Sequence, residues 1–239
     1  MASSSRRRRP WTVLPHDDLE RLDDNLWAVE SAVPRVGGRR RMFVVRLKDG
    51  RLLFAGAAIP LAEEALAELR AWGRPALLLL PHEWHMIDAD AFARRLGLAV
   101  YGPRARLAQM SRRTEMAGAA DEAPLDDSVA VETVAGARLG EPALLVRSGG
   151  GARLSLLASD VIQNQPAETV PLFLRALGGA GGPKVIPPFR LCLLRDRRAL
   201  AAQLRRWAEL PGLARLVPCH GTIVTREVGA ALRAAAATL

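Results

Sequence analysis

Residues 42–87 read MFVVRLKDGRLLFAGAAIPLAEEALAELRAWGRPALLLLPHEWHMI, and this stretch decides the fold. Met42–Leu47 (MFVVRL) is rich in β-branched residues and reads as a strand. Lys48-Asp49-Gly50 is a turn, because Asp-Gly tolerates positive φ. Arg51–Ala57 is then the returning strand. After it the period changes. Leu61, Ala65, Leu69 and Trp72 share one face, with Glu63, Glu64, Glu68 and Arg70 elsewhere, which predicts an amphipathic helix over 61–72. Gly73 and Pro75 end it. Ala76–Leu80 (ALLLL) is a continuous apolar run, as expected of a strand buried on both faces.

Working outward, Asp23–Glu30 reads as a first strand and Val33–Arg41 as a loop. Ala89–Leu96 is a short helix and Leu98–Tyr101 a buried strand. Residues 102–127 are mostly polar and read as helix plus loop. Strands follow at Val129–Val134, Ala143–Val146 and Leu154–Ser159. Gly178–Pro188 reads as a flexible surface connector. A helix at Arg198–Leu210, a short strand at Leu213–Val217 and an alanine-rich helix at Arg226–Leu239 complete the chain. Both halves thus run from strands into helices. That pattern predicts an α/β fold, a four-layer αββα sandwich with two sheets inside and helices outside. We expect one domain over residues 16–239, preceded by a disordered basic tail at 1–15.

The chain has 239 residues, 49% hydrophobic and 25% charged, enough to build a sizeable core. No apolar run approaches the ~20 residues that span a bilayer, so no membrane role is expected. Two cysteines, Cys192 and Cys219, make neither a disulfide framework nor a zinc ribbon. The net charge is +9, and only Lys48 and Lys184 of the 34 basic residues are lysine. Arg6–Arg9 supply four of those charges. The other arginines are scattered among acids, without a stripe or interleaved aromatics, which argues against nucleic acid as a partner. The tail could still attract polyanions weakly. The segment after it (WTVLPHDDLERLDD) lacks the apolar stretch of an export signal, so the cytoplasm is the expected compartment.

The histidines are His16, His82, His85 and His220. His16 lies in a polar approach to the first strand and reads as structural. His82 and His85 follow ALLLLP, His220 follows LVPC, and Asp160 follows LSLLAS. Ligands collect where strands end in α/β sheets. Imidazole nitrogens with a carboxylate oxygen suit a borderline metal such as zinc. The same groups can also form a metal-free hydrogen-bonded cluster. Cys219 reads as a small buried residue, and Trp84 as pocket lining or core.

The order of elements resembles the metallo-β-lactamase fold. Within it, the hairpin Arg41-Met42…Gly50 and the segment Pro81-His82-Glu83-Trp84-His85 resemble an uncharacterised family with a degenerate metal site. His85 matches that family's histidine, and His82 stands where its asparagine would be. Ala158-Ser159-Asp160 resembles its later aspartate motif, and Pro218-Cys219-His220-Gly221 its closing P-x-H-G motif. The resemblance implies a metal-dependent hydrolase acting on an unknown small-molecule substrate. The candidate ligands are His82, His85, Asp160 and His220. The sequence departs from a full two-metal set, because no histidine lies between His85 and His220. The expected cofactor is therefore one zinc, or none if the site is degenerate. A non-catalytic member of the fold is the alternative. Oligomeric state is not readable from the chain.

Overall fold

The computed structural model describes residues 9–33, 38–170, 172–176, 178 and 181–239. Strands β1 (Glu20–Asp23), β2 (Leu26–Ala32), β3 (Arg39–Arg46) and β4 (Arg51–Gly56) form an antiparallel run. Helix α1 (Glu63–Trp72) leads to β5 (Arg74–Leu79), and α2 (Ala89–Leu96) leads to β6 (Ala99–Gly102). A short helix α3 (Leu107–Met110) precedes β7 (Gly118–Ala119). β4, β5, β6 and β7 pair in parallel, so the first sheet runs β1-β2-β3-β4-β5-β6-β7.

The second sheet contains β8 (Val129–Thr133), β9 (Pro142–Ser148), β10 (Arg153–Ala158) and β11 (Leu213–Pro218), in the order β11-β10-β9-β8. Between β10 and β11 lie α4 (Leu172–Ala176), α5 (Pro187–Leu193) and α6 (Arg197–Ala208). Helix α7 (Val228–Ala237) follows β11.

Period-two alternation along the second sheet separates its faces. Leu144, Val146, Leu157 and Val217 join the core shared with the first sheet. Leu145, Leu154, Leu156 and Leu216 join a second core with Leu200, Leu204 and Trp207 of α6 and Leu232 of α7. On the first sheet, Phe54 of β4 meets Phe92 of α2 edge-on, with ring centroids 5.2 Å apart. The layers are therefore helix, sheet, sheet, helix, as the sequence predicts.

Several local expectations are corrected. The first strand divides into β1 and β2 at a turn through Asp24 and Asn25. Arg39–Arg41 lies in β3 rather than in a loop, because its backbone pairs with Glu30–Ala32. The expected connector 178–188 is partly outside the described residues, and Pro187 already begins α5. The sequence places the basic tail at residues 1–15. Residues 1–8 lie outside the described residues, so Arg6–Arg8 do too. Within 9–15 two residues touch the domain: Trp11 stacks on Phe92 at 5.7 Å, and Arg9 donates to the carbonyl of Ile87 at 3.0 Å, while Arg9, Pro10, Thr12, Val13 and Pro15 are exposed. His16 accepts from the backbone N–H of Ala62 at 3.0 Å, a structural role. Among the described residues, no helix is long and apolar enough to cross a membrane.

Asp23 ties the two sheets together. Its buried carboxylate takes two bonds from Arg153 of β10, at 2.5 and 2.9 Å, and one from Arg215 of β11 at 2.8 Å. The Arg153 bonds chiefly, then Arg215, hold its pKa well below the usual carboxylate range against the effect of burial. A depressed folded pKa adds stability above the unfolded value of about 3.9 and loses it as pH falls. Asp23→Asn should cost about 1.5–3 kcal/mol at neutral pH, near the lower end because Arg153 is half-exposed. Urea melts should show this gap narrowing progressively below about pH 4. A gap of constant size down to pH 2 would show that the ion pair is not its source.

Candidate metal centre

Three strand ends build the site. β5 runs out at Leu79, and Leu80-Pro81 hands the chain to a single 3-10 turn, Glu83–His85. β10 ends at Ala158, two residues before Asp160, and β11 ends at Pro218, two residues before His220. β10 and β11 are parallel neighbours, so their carboxyl ends lie side by side. The turn after β11 depends on Gly221. Its φ is +94°, and a Cβ there would lie 2.1 Å from the carbonyl oxygen of Asn164. That approach lets Asn164 N–H donate to the His220 carbonyl at 3.2 Å and Thr222 N–H donate to Asn164 O at 2.8 Å.

All four sequence-predicted residues converge. Asp160 is at the centre, 5% exposed. Its Oδ1 lies 3.1 Å from Nε2 of His85 and 3.1 Å from Nε2 of His220, and its Oδ2 lies 3.1 Å from Nε2 of His82. The rings of His82 and His85 meet edge-on at 4.9 Å, and those of His85 and His220 at 5.7 Å.

The proton positions follow from the other ring nitrogens. Nδ1 of His220 is 2.7 Å from the carbonyl oxygen of Arg39, so it must carry the proton and donate. In the neutral ring, Nε2 is then an acceptor, and it faces an acceptor oxygen of Asp160. Two acceptors at 3.1 Å require a cation between them, either a proton or a metal. His82 is arranged differently. Its Nδ1 accepts from the backbone N–H of Trp84 at 3.3 Å, which places the neutral ring's proton on Nε2. That nitrogen is buried and makes no aligned hydrogen bond, although Asp160 is near. Ligation through it would move the proton to Nδ1 and cost the long bond to Trp84. Asp160 shares a set of donor atoms compact enough for an ion with His82 and His85, so use of that set requires the His82 ring to give up its bond to Trp84.

Charge is strongly redistributed. Burial works against the Asp160 carboxylate, yet the surrounding imidazoles, His85 foremost, hold its pKa well below the usual range. Burial pushes His82 down. It also opposes the cation at His85, where the Asp160 carboxylate prevails and raises the pKa well above the ordinary value. At His220 burial is likewise outweighed, by the Cys219 sulfur and by Asp160, and the pKa rises to about 9.

Two neighbours were missed in the sequence. Glu141, directly before β9, is 1% exposed, and its Oε2 lies 3.8 Å from Nε2 of His82. Its Oε1 accepts from Val161 N–H at 3.1 Å. Burial raises its pKa to about 8, so it is a neutral acid at pH 7. The chain thus has a group at this wall of the site between His85 and His220 in sequence, but it is a carboxyl and not an imidazole. The one signal was an acid between Gly140 and the apolar strand PALLV. Cys219 is buried as expected. It is also part of the cluster, because its Sγ lies 3.9 Å from Nδ1 of His85 while donating to Arg41 O at 3.1 Å. His85, Cys219 and His220 form a second group of donor atoms compact enough for an ion, alongside His82, His85 and Asp160. Asp88 and Asp90 serve elsewhere, in pairs with Arg40 and Arg94. Trp84 is half-exposed, edge-on to His82 at 5.2 Å.

A cavity of about 870 Å³ is lined by Arg39, Gln165, Thr169, Gly221, Thr222 and Ile223 among others; Gly221 is the neighbour of His220 in sequence, but none of His82, His85, Asp160 and His220 lines it.

Solved structures provide the comparison. The DIM-1 metallo-β-lactamase exposed to ceftazidime superposes with a TM-score of 0.63 over 95% of this chain and 99% of that one, at 14% identity. The chain has the metallo-β-lactamase fold. A metallo-β-lactamase from Pontibacter korlensis is similar over 93% of this chain and 99% of its own, with a TM-score of 0.63 and 13% identity. One from Hirschia baltica gives 0.58 at 13% identity, over 92% and 98% of the two chains. No protein-family profile matches the sequence, and no curated protein matches it. Within this metallo-β-lactamase fold, the His/Asp cluster lies at the strand ends of both sheets, where a metal could be held.

Proposed function

We propose that this chain is a metal-dependent hydrolase with one metal ion, acting on a small-molecule substrate. The observation that carries the reading is the convergence of three imidazole nitrogens, from His82, His85 and His220, on the Asp160 carboxylate, each at 3.1 Å. Nitrogen and carboxylate donors spaced this way suit a zinc-like ion, whose bonds of about 2.0–2.2 Å leave neighbouring ligand atoms slightly over 3 Å apart. His85 is common to both compact sets of donor atoms, His82–His85–Asp160 and His85–Cys219–His220, and would hold it together with Asp160 and His82 or with His220 and Cys219. When bound, such an ion supplies Lewis acidity and an activated water at neutral pH. The protein's own contributions are distinct. Arg39 O fixes the His220 ring, Gly221 lets the loop close, and Glu141 holds a proton at the wall of the site. Cys192 and Cys219 are free cysteines, which suits the cytoplasm.

The non-catalytic alternative has one observation in its favour, the His82 ring turned with Nδ1 toward Trp84 N–H. Elemental mass spectrometry on protein purified without a histidine tag separates the two readings. We expect one metal per chain in the wild type, loss of it in His220→Ala, and its retention in Glu141→Gln. The glutamine keeps a neutral group that can still accept from Val161 N–H. A metal-free wild type, or undiminished metal in His220→Ala, would sink the proposal.

A further inference from the structure

Three consecutive arginines, Arg39, Arg40 and Arg41, open β3. Successive side chains of a strand point to opposite faces, and here the two faces reach both histidine-bearing loops. Arg40, 4% exposed, pairs with the buried Asp88 at 2.6 Å. Asp88 lies three residues beyond His85, where the turn passes into α2. On the other face Arg41, 5% exposed, donates one guanidinium nitrogen to the Pro218 carbonyl and the other to Glu30. The backbone continues the clasp. Arg41 N–H donates to Cys219 O at 2.8 Å, the Cys219 thiol donates to Arg41 O at 3.1 Å, and His220 Nδ1–H donates to Arg39 O at 2.7 Å.

Stability alone does not account for this arrangement. A buried ion pair is often no better than apolar residues of the same volume. Here the Nε atoms of both Arg40 and Arg41 are buried without a hydrogen-bond partner among the described residues. Two adjacent guanidinium groups are thus kept inside at a cost, and both end on the loops that carry His82, His85 and His220. Partners that orient metal-binding side chains typically matter about 10–100-fold in metal affinity.

We propose that Arg40 and Arg41 are positioning residues of the metal centre. Arg40 acts through Asp88 on the His82–His85 turn, and Arg41 acts through Pro218 and Cys219 on the ring of His220. The inference rests on the metal-binding reading above, so its test has one arm with metal and one without. The full chain is compared with Arg40→Met, Arg41→Met and Arg41→Lys. Arg215→Met serves as a control that breaks a different buried pair, with Asp23.

In the first arm, cobalt(II) is titrated against a chelator while its visible absorption is recorded. Arg40→Met and Arg41→Met should weaken cobalt binding about 10–100-fold and alter the absorption bands. Arg215→Met should lower the melting temperature without changing either. In the second arm, the metal-free protein is examined by NMR for the His220 Nδ1–H resonance. It should be protected from exchange in the wild type by its bond to Arg39 O and lose that protection in Arg41→Met. If Arg41→Met does not fold, Arg41→Lys decides. It keeps a charge opposite Glu30, loses the second bond to Pro218, and should still weaken cobalt binding. Wild-type cobalt affinity in the folded Arg40 and Arg41 variants would overturn the proposal. If the wild type itself binds no cobalt, the metal reading fails separately. His220 protection then decides the clasp: loss in Arg41→Met upholds it, and unchanged protection overturns it.

Discussion

Asp160→Asn is expected to abolish metal retention. Asparagine has nearly the same shape, so packing around the site should persist. What is lost is the one anion that lies 3.1 Å from all three imidazoles. The fall in affinity should exceed the about 10–100-fold that loss of an outer orienting partner costs. Metal content measured by elemental mass spectrometry should drop to background. A second effect concerns the metal-free protein. Removing one partner from a buried charged cluster costs about 3–5 kcal/mol, with the lower end expected here because the imidazoles can give up their protons instead. Urea denaturation of chelator-treated protein near neutral pH measures it. Full metal content in a folded Asp160→Asn protein would exclude Asp160 as a ligand.

Trp207→Ala should produce the largest loss of stability that leaves the site intact. Trp207 is fully buried between α6 and the second sheet. Its indole N–H donates to Glu132 of β8 at 2.8 Å. Truncating a buried aromatic to alanine costs about 3–5 kcal/mol through lost contacts and the cavity left behind. For a domain whose whole stability is typically about 5–15 kcal/mol, that is a large fraction. The urea midpoint should fall accordingly, while the metal bound per folded chain stays at the wild-type level. Trp207→Phe keeps most of the apolar contact and removes only the N–H, so its loss should be smaller. Equal losses in the two variants would mean that the bond to Glu132, not the packing, dominates.

The elements were legible because their signals are local. The switch from alternation in MFVVRL to helical spacing in 61–72 occurs within a few residues, and β3, β4, α1 and β5 lie where it places them. Ala89–Leu96 is a helix with the boundaries its sequence suggests, closed by Gly97 at φ +66°. The candidate ligands were legible for a related reason. Each follows an apolar run that must be a buried strand, and strand ends within one sheet gather on one side, which groups His82 with His85 and Asp160 with His220; only the packing of the two sheets brings the pairs together. Where the signal was not local, the reading went astray. Arg39–Arg41 is polar and flanked by Gly and Pro, which reads as a loop, yet the pairing of β3 with β2 extends the strand through it.

By itself the sequence determined the αββα order of elements and the strand-end positions of His82, His85, Asp160 and His220, because periodicity and chain breaks are properties of neighbouring residues. Only the tertiary structure decided what surrounds them. Glu141 looks like any surface acid until β9 and the Val161 segment bury it, and burial, helped by the nearby Asp160 charge, raises its pKa to about 8. The His220 ring owes its orientation to Arg39, 181 residues earlier in the chain. Desolvation and contacts of that range arise when the two sheets close on each other, and no local pattern of residues encodes them.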